Sequence, residues 1–165
     1  MLFRLDPDLS LHRMVEGVSI LNGVVWSLDE KTMYFADSPT KNICAYDYDV
    51  ATGNIFNKRV FFHVDNKDGV PDGHCMDEEG HIWAAIFGCG KVVRISPDGK
   101  VVAEIKLPTR CISCPTFVGE ELFITSAEEV EPDKFPDSAK LQGSVFRCHV
   151  GVKGRKLHRF KYHGD

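Results

Sequence analysis

A strand-turn-strand unit recurs three times in this chain of 165 residues, and this repeat restricts the fold more than any other feature. The three units begin at Asn22, Asp72 and Ser113, at intervals of 50 and 41 residues. Each unit has a first strand, an acidic turn and an apolar second strand: NGVVW with MYFADS, DGHCM with IWAAIF, and SCPTF with LFITSA. Repeats of about 40 to 50 residues built from short strands are typical of the four-stranded blades of a β-propeller.

Almost every stretch between the turn signals is also typical of a short strand. The stretches NICAYDYD, RVFFHV, KVVRIS and VVAEIKL are rich in Val, Ile, Phe and Tyr, and they are separated by Gly-containing or acidic turns. No segment shows a sustained helical period. The sequence therefore predicts an all-β fold.

The tripeptide Pro-Asp-Gly occurs twice, at 71–73 and at 97–99, and the repeat separates the two copies. Asp98 lies between the third and fourth strands of its unit, where Pro-Asp-Gly is simply a hairpin turn. Asp72 lies at the start of an innermost strand, in the same position as Asn22 and Ser113. Innermost strands of a propeller surround a central channel, so we expect Asp72 and Asn22 to approach each other there.

The composition argues against several classes of partner. The net charge is −4 and the pI is about 6.0, whereas a nucleic-acid or anionic-membrane surface requires a basic face. No apolar stretch approaches the length of a membrane span. The first residues, MLFRLDPDLS, lack the long apolar segment of a secretory signal, so we expect a cytoplasmic protein with reduced cysteines.

Three longer stretches carry a resemblance to a known family. They are LNGVVWSLDEKTMYFADSPTKNICAYDYDVATGNI, GVPDGHCMDEEGHIWAAIFGCGKVVRISPDGKVV and LPTRCISCPTFVGEELFITSA. Together they resemble the second half of the SMP-30/gluconolactonase/regucalcin family, and the resemblance covers nearly the whole chain. It implies that residues 1–165 form one incomplete region of a six-bladed β-propeller, with about three blades and part of another. It also implies divalent-metal-dependent hydrolysis of sugar lactones.

The resemblance assigns a metal site and a catalytic base. Members of the family hold their cation with a Glu, with the Asn of an Asn-Gly pair and with the Asp of a Pro-Asp-Gly. Here these implied ligands are Asn22 and Asp72, and Asp72 is also the implied general base. Such hard oxygen donors suit one divalent cation, Ca²⁺, Mg²⁺ or Mn²⁺, and Zn²⁺ also accepts them. The family's Glu ligand and its sugar-binding Arg and Asn belong to the half that this chain lacks.

Three further residues are weaker candidates for contact with a small-molecule lactone. His74 follows Asp72 by two residues and alternates to the same side of a regular strand, although a packed core histidine is the simpler interpretation. Ser113 and Cys114 occupy the equivalent start of the third unit. For Asn22, the alternative is a residue that only forms a turn.

The missing half leaves three hypotheses open. The first is a lactone hydrolase whose activity is impaired because this chain is the truncated product of a longer gene. The second is a non-catalytic remnant that associates with itself through exposed blade faces, since an open ring leaves apolar faces without a neighbour. The third is a calcium-binding regulatory protein of the same fold.

Overall fold

The computed structural model describes residues 1–65, 67 and 69–160, and most of these residues lie in strands. In chain order the strands are β1 (Leu2–Leu5), β2 (Leu11–Val15), β3 (Leu21–Trp26), β4 (Thr32–Asp37), β5 (Asn42–Asp49), β6 (Asn54–His63), β7 (Val70–Met76), β8 (Ile82–Phe87), β9 (Lys91–Ile95), β10 (Val101–Lys106), β11 (Ile112–Val118), β12 (Glu121–Ser126) and β13 (Val145–His149). The described helical segments are a 3₁₀ turn at Ser38–Thr40 and a short helix, α1, at Pro136–Ala139. Neither is long or apolar enough to cross a membrane.

The strands form four antiparallel sheets in which each strand pairs with its neighbours in sequence. Strands β3 to β6 and β7 to β10 make two four-stranded blades, β11 to β13 make a three-stranded blade, and β1 with β2 makes a two-stranded piece. The innermost strands are β3, β7 and β11, and β7 contacts both of the others. The predicted all-β fold and the predicted part of a six-bladed propeller are confirmed.

The hydrophobic core lies between neighbouring blades. All residues of β8 except the last are buried, because this strand is covered by a blade on each side. One cluster fills the space between the β3–β6 and β7–β10 blades and includes Ile43, Ile82 and Ile86. A second cluster joins the β7–β10 blade to the last blade through Trp83 and Ile124. Blade-on-blade burial therefore fixes the relative positions of the innermost strands.

A buried carboxylate anchors the far end of strand β7. Asp77 is fully buried, and its Oδ2 accepts hydrogen bonds from Trp83 Nε1 at 2.9 Å and from Arg94 Nη2 at 2.7 Å. Its Oδ1 accepts from the backbone N–H groups of Glu79 and His81. These partners satisfy and neutralise a charge that is otherwise costly to bury. The turn after β7 is thereby fixed at the end opposite to Asp72.

The β1–β2 sheet leaves apolar side chains that no blade of the described residues covers. Phe3, Leu5 and Leu11 are exposed; in β1 they alternate with partly buried residues, whereas β2 begins with three exposed residues. Exposed contiguous apolar side chains mark surfaces that another element covers. Self-association through such blade faces stays a prediction.

Candidate metal and substrate site

All three innermost strands carry an irregularity at the same point of the repeat. The pairing of β3 with β4 shifts between Asn22 and Val24, and that of β11 with β12 shifts between Ile112 and Cys114. The pairing of β7 with β8 shifts across Asp72 and Gly73, between Pro71 and His74. Such bulges release side chains from the regular alternation and redirect them. Asn22 directly precedes the shift in its strand, and Asp72 and Ser113 lie within the shifts of theirs, so all three candidate residues lie at the irregular start of an innermost strand.

A buried serine connects the first two of these positions. Asn22 Nδ2 donates a hydrogen bond to Ser38 Oγ at 2.8 Å, and Ser38 Oγ donates to the backbone carbonyl of Pro71 at 2.7 Å. Ser38 is buried, so this chain of hydrogen bonds is shielded from water. The bond through Nδ2 turns the amide oxygen of Asn22 away from Ser38. The asparagine is thus fixed to the residue that precedes Asp72, and its oxygen is left to accept a ligand.

Asp72 is a half-buried carboxylate without a basic partner among the described residues. Burial raises its pKa to about 6, and the nearby backbone N–H of Gly73 only partly opposes this rise. An anion that is withdrawn from water without a countercharge favours a cation beside it. The environment of Asp72 therefore fits a cation ligand.

The predicted metal ligands are two oxygen donors on two neighbouring innermost strands. No cluster of three or more His, Cys, Asp or Glu side chains with the arrangement of a metal centre occurs in the ranges 1–65, 67 and 69–160. The set consists of one carboxylate, from Asp72, and one amide oxygen, from Asn22. Both are hard donors that suit Ca²⁺, Mg²⁺ or Mn²⁺. Ca²⁺ in particular requires six or more oxygen ligands. These two residues fit a cation, and further donors have to complete its shell.

His74 lies inside the molecule, with only 6% of its surface exposed. Its ring lies directly against Gly23, and a Cβ at that position would overlap ring atom Nδ1. Burial lowers the pKa of His74 to about 4, although the backbone carbonyls of Tyr34 and Asp72 oppose the shift. Neither ring nitrogen reaches a described partner with hydrogen-bond geometry. The imidazole is thus neutral and packs between two innermost strands; its contact with substrate stays a prediction.

Ser113 and Cys114 approach the same region from the third strand. Ser113 Oγ lies 2.8 Å from Thr125 Oγ1, so its hydroxyl is bonded within its own blade. Cys114 faces Gly73, where a Cβ would lie 2.6 Å from its sulfur. Although the residue as a whole is exposed, partial burial of the thiol raises its pKa, and the charge of Asp72 adds to this effect. Cys114 and Asp72 are therefore neighbours, and the thiol stays protonated at neutral pH.

Sequence reasoning missed Ser38. The residue directly follows strand β4 and precedes a proline, in the stretch FADSP. A small hydroxyl residue at the end of a buried strand, beside the start of the innermost strand, is the signal that could have identified it. Its importance comes from a hydrogen bond to Pro71, 33 positions away, which no local pattern reveals.

Comparison with known proteins places these features in a family. Residues 1–128 match the family described as SMP-30/Gluconolactonase/LRE-like region. Regucalcin from Xenopus laevis is 36% identical over 160 residues, a match that covers 93% of this chain and 53% of the relative. The chain thus spans about half the length of the curated relatives it matches.

Solved structures agree with this match. A calcium-binding protein, regucalcin, from Agrobacterium tumefaciens has a TM-score of 0.87 at 30% identity, covering 96% of this chain and 55% of that protein. A gluconolactonase from Xanthomonas campestris has a TM-score of 0.65 at 35% identity, covering 75% of this chain and 40% of that protein. In both cases the match extends over only part of the larger protein.

Proposed function

The chain belongs to the SMP-30/gluconolactonase/LRE-like family, and we propose that it contributes part of the active site of a divalent-metal-dependent sugar lactonase. In this proposal Asn22 and Asp72 hold the cation, and Asp72 is also the general base. The relative from Xanthomonas campestris, which is named a gluconolactonase, supports a lactone as the class of substrate.

One observation carries this proposal. The hydrogen-bond chain from Asn22 through Ser38 to Pro71 fixes an amide oxygen relative to the strand start that bears a half-buried carboxylate. Hairpin turns do not need such an arrangement, because a turn residue satisfies its side chain within its own loop. The arrangement is that of ligand side chains held by residues behind them.

The reaction is the addition of water to a lactone. The water oxygen bonds to the carbonyl carbon, the ring C–O bond breaks, and an open-chain hydroxy acid forms. Asp72 takes the proton that the attacking water gives up and returns it to the ring oxygen, which leaves as the hydroxyl group of the product. A bound divalent cation supplies polarisation of the carbonyl and a countercharge for the anion that develops. Asn22 keeps its amide oxygen directed away from Ser38, where it serves as a neutral ligand.

The neighbouring residues shape the space around Asp72. The neutral ring of His74 fills the gap next to Gly23 and excludes water behind the strand starts. Cys114 lies beside Gly73 on the other flank, and we propose that it and Ser113 contact the sugar part of the substrate. A protonated thiol can donate a weak hydrogen bond to a substrate oxygen and is not a nucleophile.

The test is metal-dependent hydrolysis of gluconolactone by the chain and by two matched variants. We expect slow hydrolysis that requires added Ca²⁺, Mn²⁺ or Zn²⁺, that Asp72→Asn abolishes and that Asp98→Asn preserves. Equal rates in the two variants would contradict the role of Asp72. Cation binding without any hydrolysis would instead favour the calcium-binding alternative, which the name of the Agrobacterium tumefaciens relative supports.

A further inference from the structure

A cavity of about 720 Å³ opens at the same end of the blades as Asp72. Strands β7 and β9 begin at this end with Val70 and Lys91, and strands β8 and β10 finish here with Phe87 and Lys106. The loops that connect the blades and the long β12–β13 loop surround the cavity. Its volume suits a small-molecule ligand.

The cavity is positively charged although the chain as a whole is acidic. Among the described residues, five basic side chains and two acidic ones line it, and a third carboxylate, that of the buried Glu129, pairs with Arg110; the net charge of the whole chain is −4. The basic residues are Lys67, Lys91, Lys106, Arg110 and Lys134. The acidic residues are Glu104 and Glu131. A concave surface of one sign concentrates ions of the opposite sign, so this cavity attracts anions.

Arg110 is fixed in the cavity wall. Its Nε donates to the backbone carbonyl of Gly88 at 3.2 Å, and its Nη1 donates to Glu129 Oε1 at 3.1 Å. The guanidinium also stacks on Phe135, with Cζ 3.4 Å from the ring centroid. Glu129 is itself buried and accepts a hydrogen bond from Ser138 Oγ at 2.5 Å. Nη1 also lies 3.8 Å from Glu131 Oε2, whereas no described residue accepts from Nη2, so this one nitrogen is left in a fixed position to donate to a ligand.

The lysines around Arg110 are only partly neutralised. Glu104 pairs with Lys91 at 2.7 Å, which leaves Lys106 at 3.9 Å from the same carboxylate and 85% exposed. Lys134 lies 3.4 Å from Glu131 and is 66% exposed. Exposed pairs of this kind are weak and rearrange at low cost. Two mobile ammonium groups can therefore turn toward an anion that Arg110 binds.

We propose that this cavity binds the phosphoryl group of a small phosphorylated metabolite. A phosphate ester presents several oxygens and close to two negative charges, which match a guanidinium flanked by two lysines. The backbone N–H groups of Gly88 and Gly90 already donate to the carbonyl of Arg110, so the side chains provide the recognition. Neither Asn22 nor Asp72 lines this cavity, and the proposal does not depend on the proposed lactonase activity.

Calorimetric titration of the whole chain with inorganic phosphate, glucose 6-phosphate and glucose tests the proposal. EDTA is present throughout, so that a cation at Asn22 and Asp72 cannot contribute. We expect saturable binding of both phosphates at millimolar concentration and none of glucose. Equal affinity for inorganic phosphate and glucose 6-phosphate would show that the phosphoryl group is the part recognised. Tighter binding of glucose 6-phosphate would show that the sugar makes additional contacts. Both results support the site.

Three charge reversals locate the binding. Lys106→Glu and Lys134→Glu are each expected to weaken phosphate binding about tenfold, because each replaces attraction by repulsion near the anion. Lys100→Glu is the matched control, since Lys100 is 78% exposed in the β9–β10 turn at the opposite end of the blade. Its affinity for phosphate should equal that of the parent. No saturable binding, or the same loss in all three variants, would overturn the proposal.

Discussion

The two Pro-Asp-Gly tripeptides place the same aspartate in opposite environments. Asp98 is exposed in the β9–β10 turn, where hydrogen bonds from Lys100 and then Ser96 lower the pKa of its carboxyl. Asp72 is half-buried at the start of an innermost strand, where burial raises its pKa to about 6. The comparison shows that a turn satisfies its own carboxylate, whereas the strand start leaves one half-buried without a basic partner among the described residues.

The glycines of the two tripeptides are also required for different reasons. Gly99 has a φ of +80°, which an L side chain rarely adopts, and a Cβ there would also lie 2.8 Å from the carbonyl oxygen of Phe61. Gly73 does not have a positive φ; instead, a Cβ there would lie 2.6 Å from Cys114 Sγ and 2.8 Å from the carbonyl oxygen of Ser113. Gly99 makes a turn and also lies close to Phe61 of the neighbouring blade, whereas Gly73 allows two innermost strands to approach without a positive φ. Position in the repeat, rather than the tripeptide, decides the role.

The largest expected effect is that of Gly73→Ala. The added methyl group collides with the backbone of a neighbouring blade, which cannot move without disturbing the core, so the variant should lose about 3 kcal/mol in its free energy of unfolding. Gly119→Ala is the matched control: Gly119 has a φ of +62° but a Cβ there meets nothing within 4 Å, so this variant should lose only about 1 to 2 kcal/mol through its φ. Urea unfolding followed by circular dichroism measures both. Equal losses in Gly73→Ala and Gly119→Ala would contradict a collision between the innermost strands at Gly73.

The next effect compares two buried serines, one beside each tripeptide. Ser38→Ala should lower the free energy of unfolding by about 2 kcal/mol, because it leaves both Asn22 Nδ2 and the Pro71 carbonyl without their partner. Ser96→Ala removes hydrogen bonds within an exposed turn and should cost about 1 kcal/mol. In NMR spectra, only Ser38→Ala should shift the side-chain amide signals of Asn22. An unchanged Asn22 signal would contradict the positioning role of Ser38.

A smaller effect is expected when each aspartate is neutralised in metal-free buffer: the two substitutions should change the stability of the protein in opposite directions. Asp72→Asn removes a half-buried charge without a basic partner and should stabilise the protein by about 1 kcal/mol. Asp98→Asn removes a carboxylate that Lys100 and Ser96 stabilise, and should lower Tm slightly. Thermal unfolding with EDTA checks both variants. Destabilisation by Asp72→Asn would mean that its carboxylate already has a partner.

The smallest effect is the pH dependence of the Asp98 contribution. The folded-state pKa of Asp98 is lowered, so its stabilisation is present above the unfolded pKa and is lost as the pH falls through the folded value. The difference in Tm between the parent and Asp98→Asn should therefore shrink toward zero as the pH is lowered from 6 to 3. A difference that stays constant over this range would show that the carboxylate charge does not stabilise the turn.

The sequence alone predicted those features of the fold and of the candidate site that follow from the repeat. The strand pattern of TMYFADS and IWAAIF gave strands that match β4 and β8, and the alignment of Asn22, Asp72 and Ser113 located three equivalent strand starts. These features are local or periodic, so they can be recognised in the amino-acid sequence. The same reasoning separated Asp72 from Asp98, and their environments agree with it.

The features that the sequence did not predict depend on contacts between residues far apart in the chain. Ser38 acts through a carbonyl 33 positions away, and Arg110 is held by Glu129 on another loop. Asp77 is buried only because Arg94 and Trp83 reach it from neighbouring strands. No spacing in the sequence distinguishes these residues from ordinary surface polar groups. They are brought together by the packing of the blades, which cannot be derived from a single sequence.

The central claim is that Asp72 holds a cation whereas Asp98 only makes a turn. Titration of Mn²⁺ into the parent, Asp72→Asn and Asp98→Asn, followed by electron paramagnetic resonance, tests it most directly. The account predicts one Mn²⁺ per chain in the parent, unchanged affinity in Asp98→Asn and at least about tenfold weaker binding in Asp72→Asn. Binding by Asp72→Asn as tight as that of the parent would contradict it.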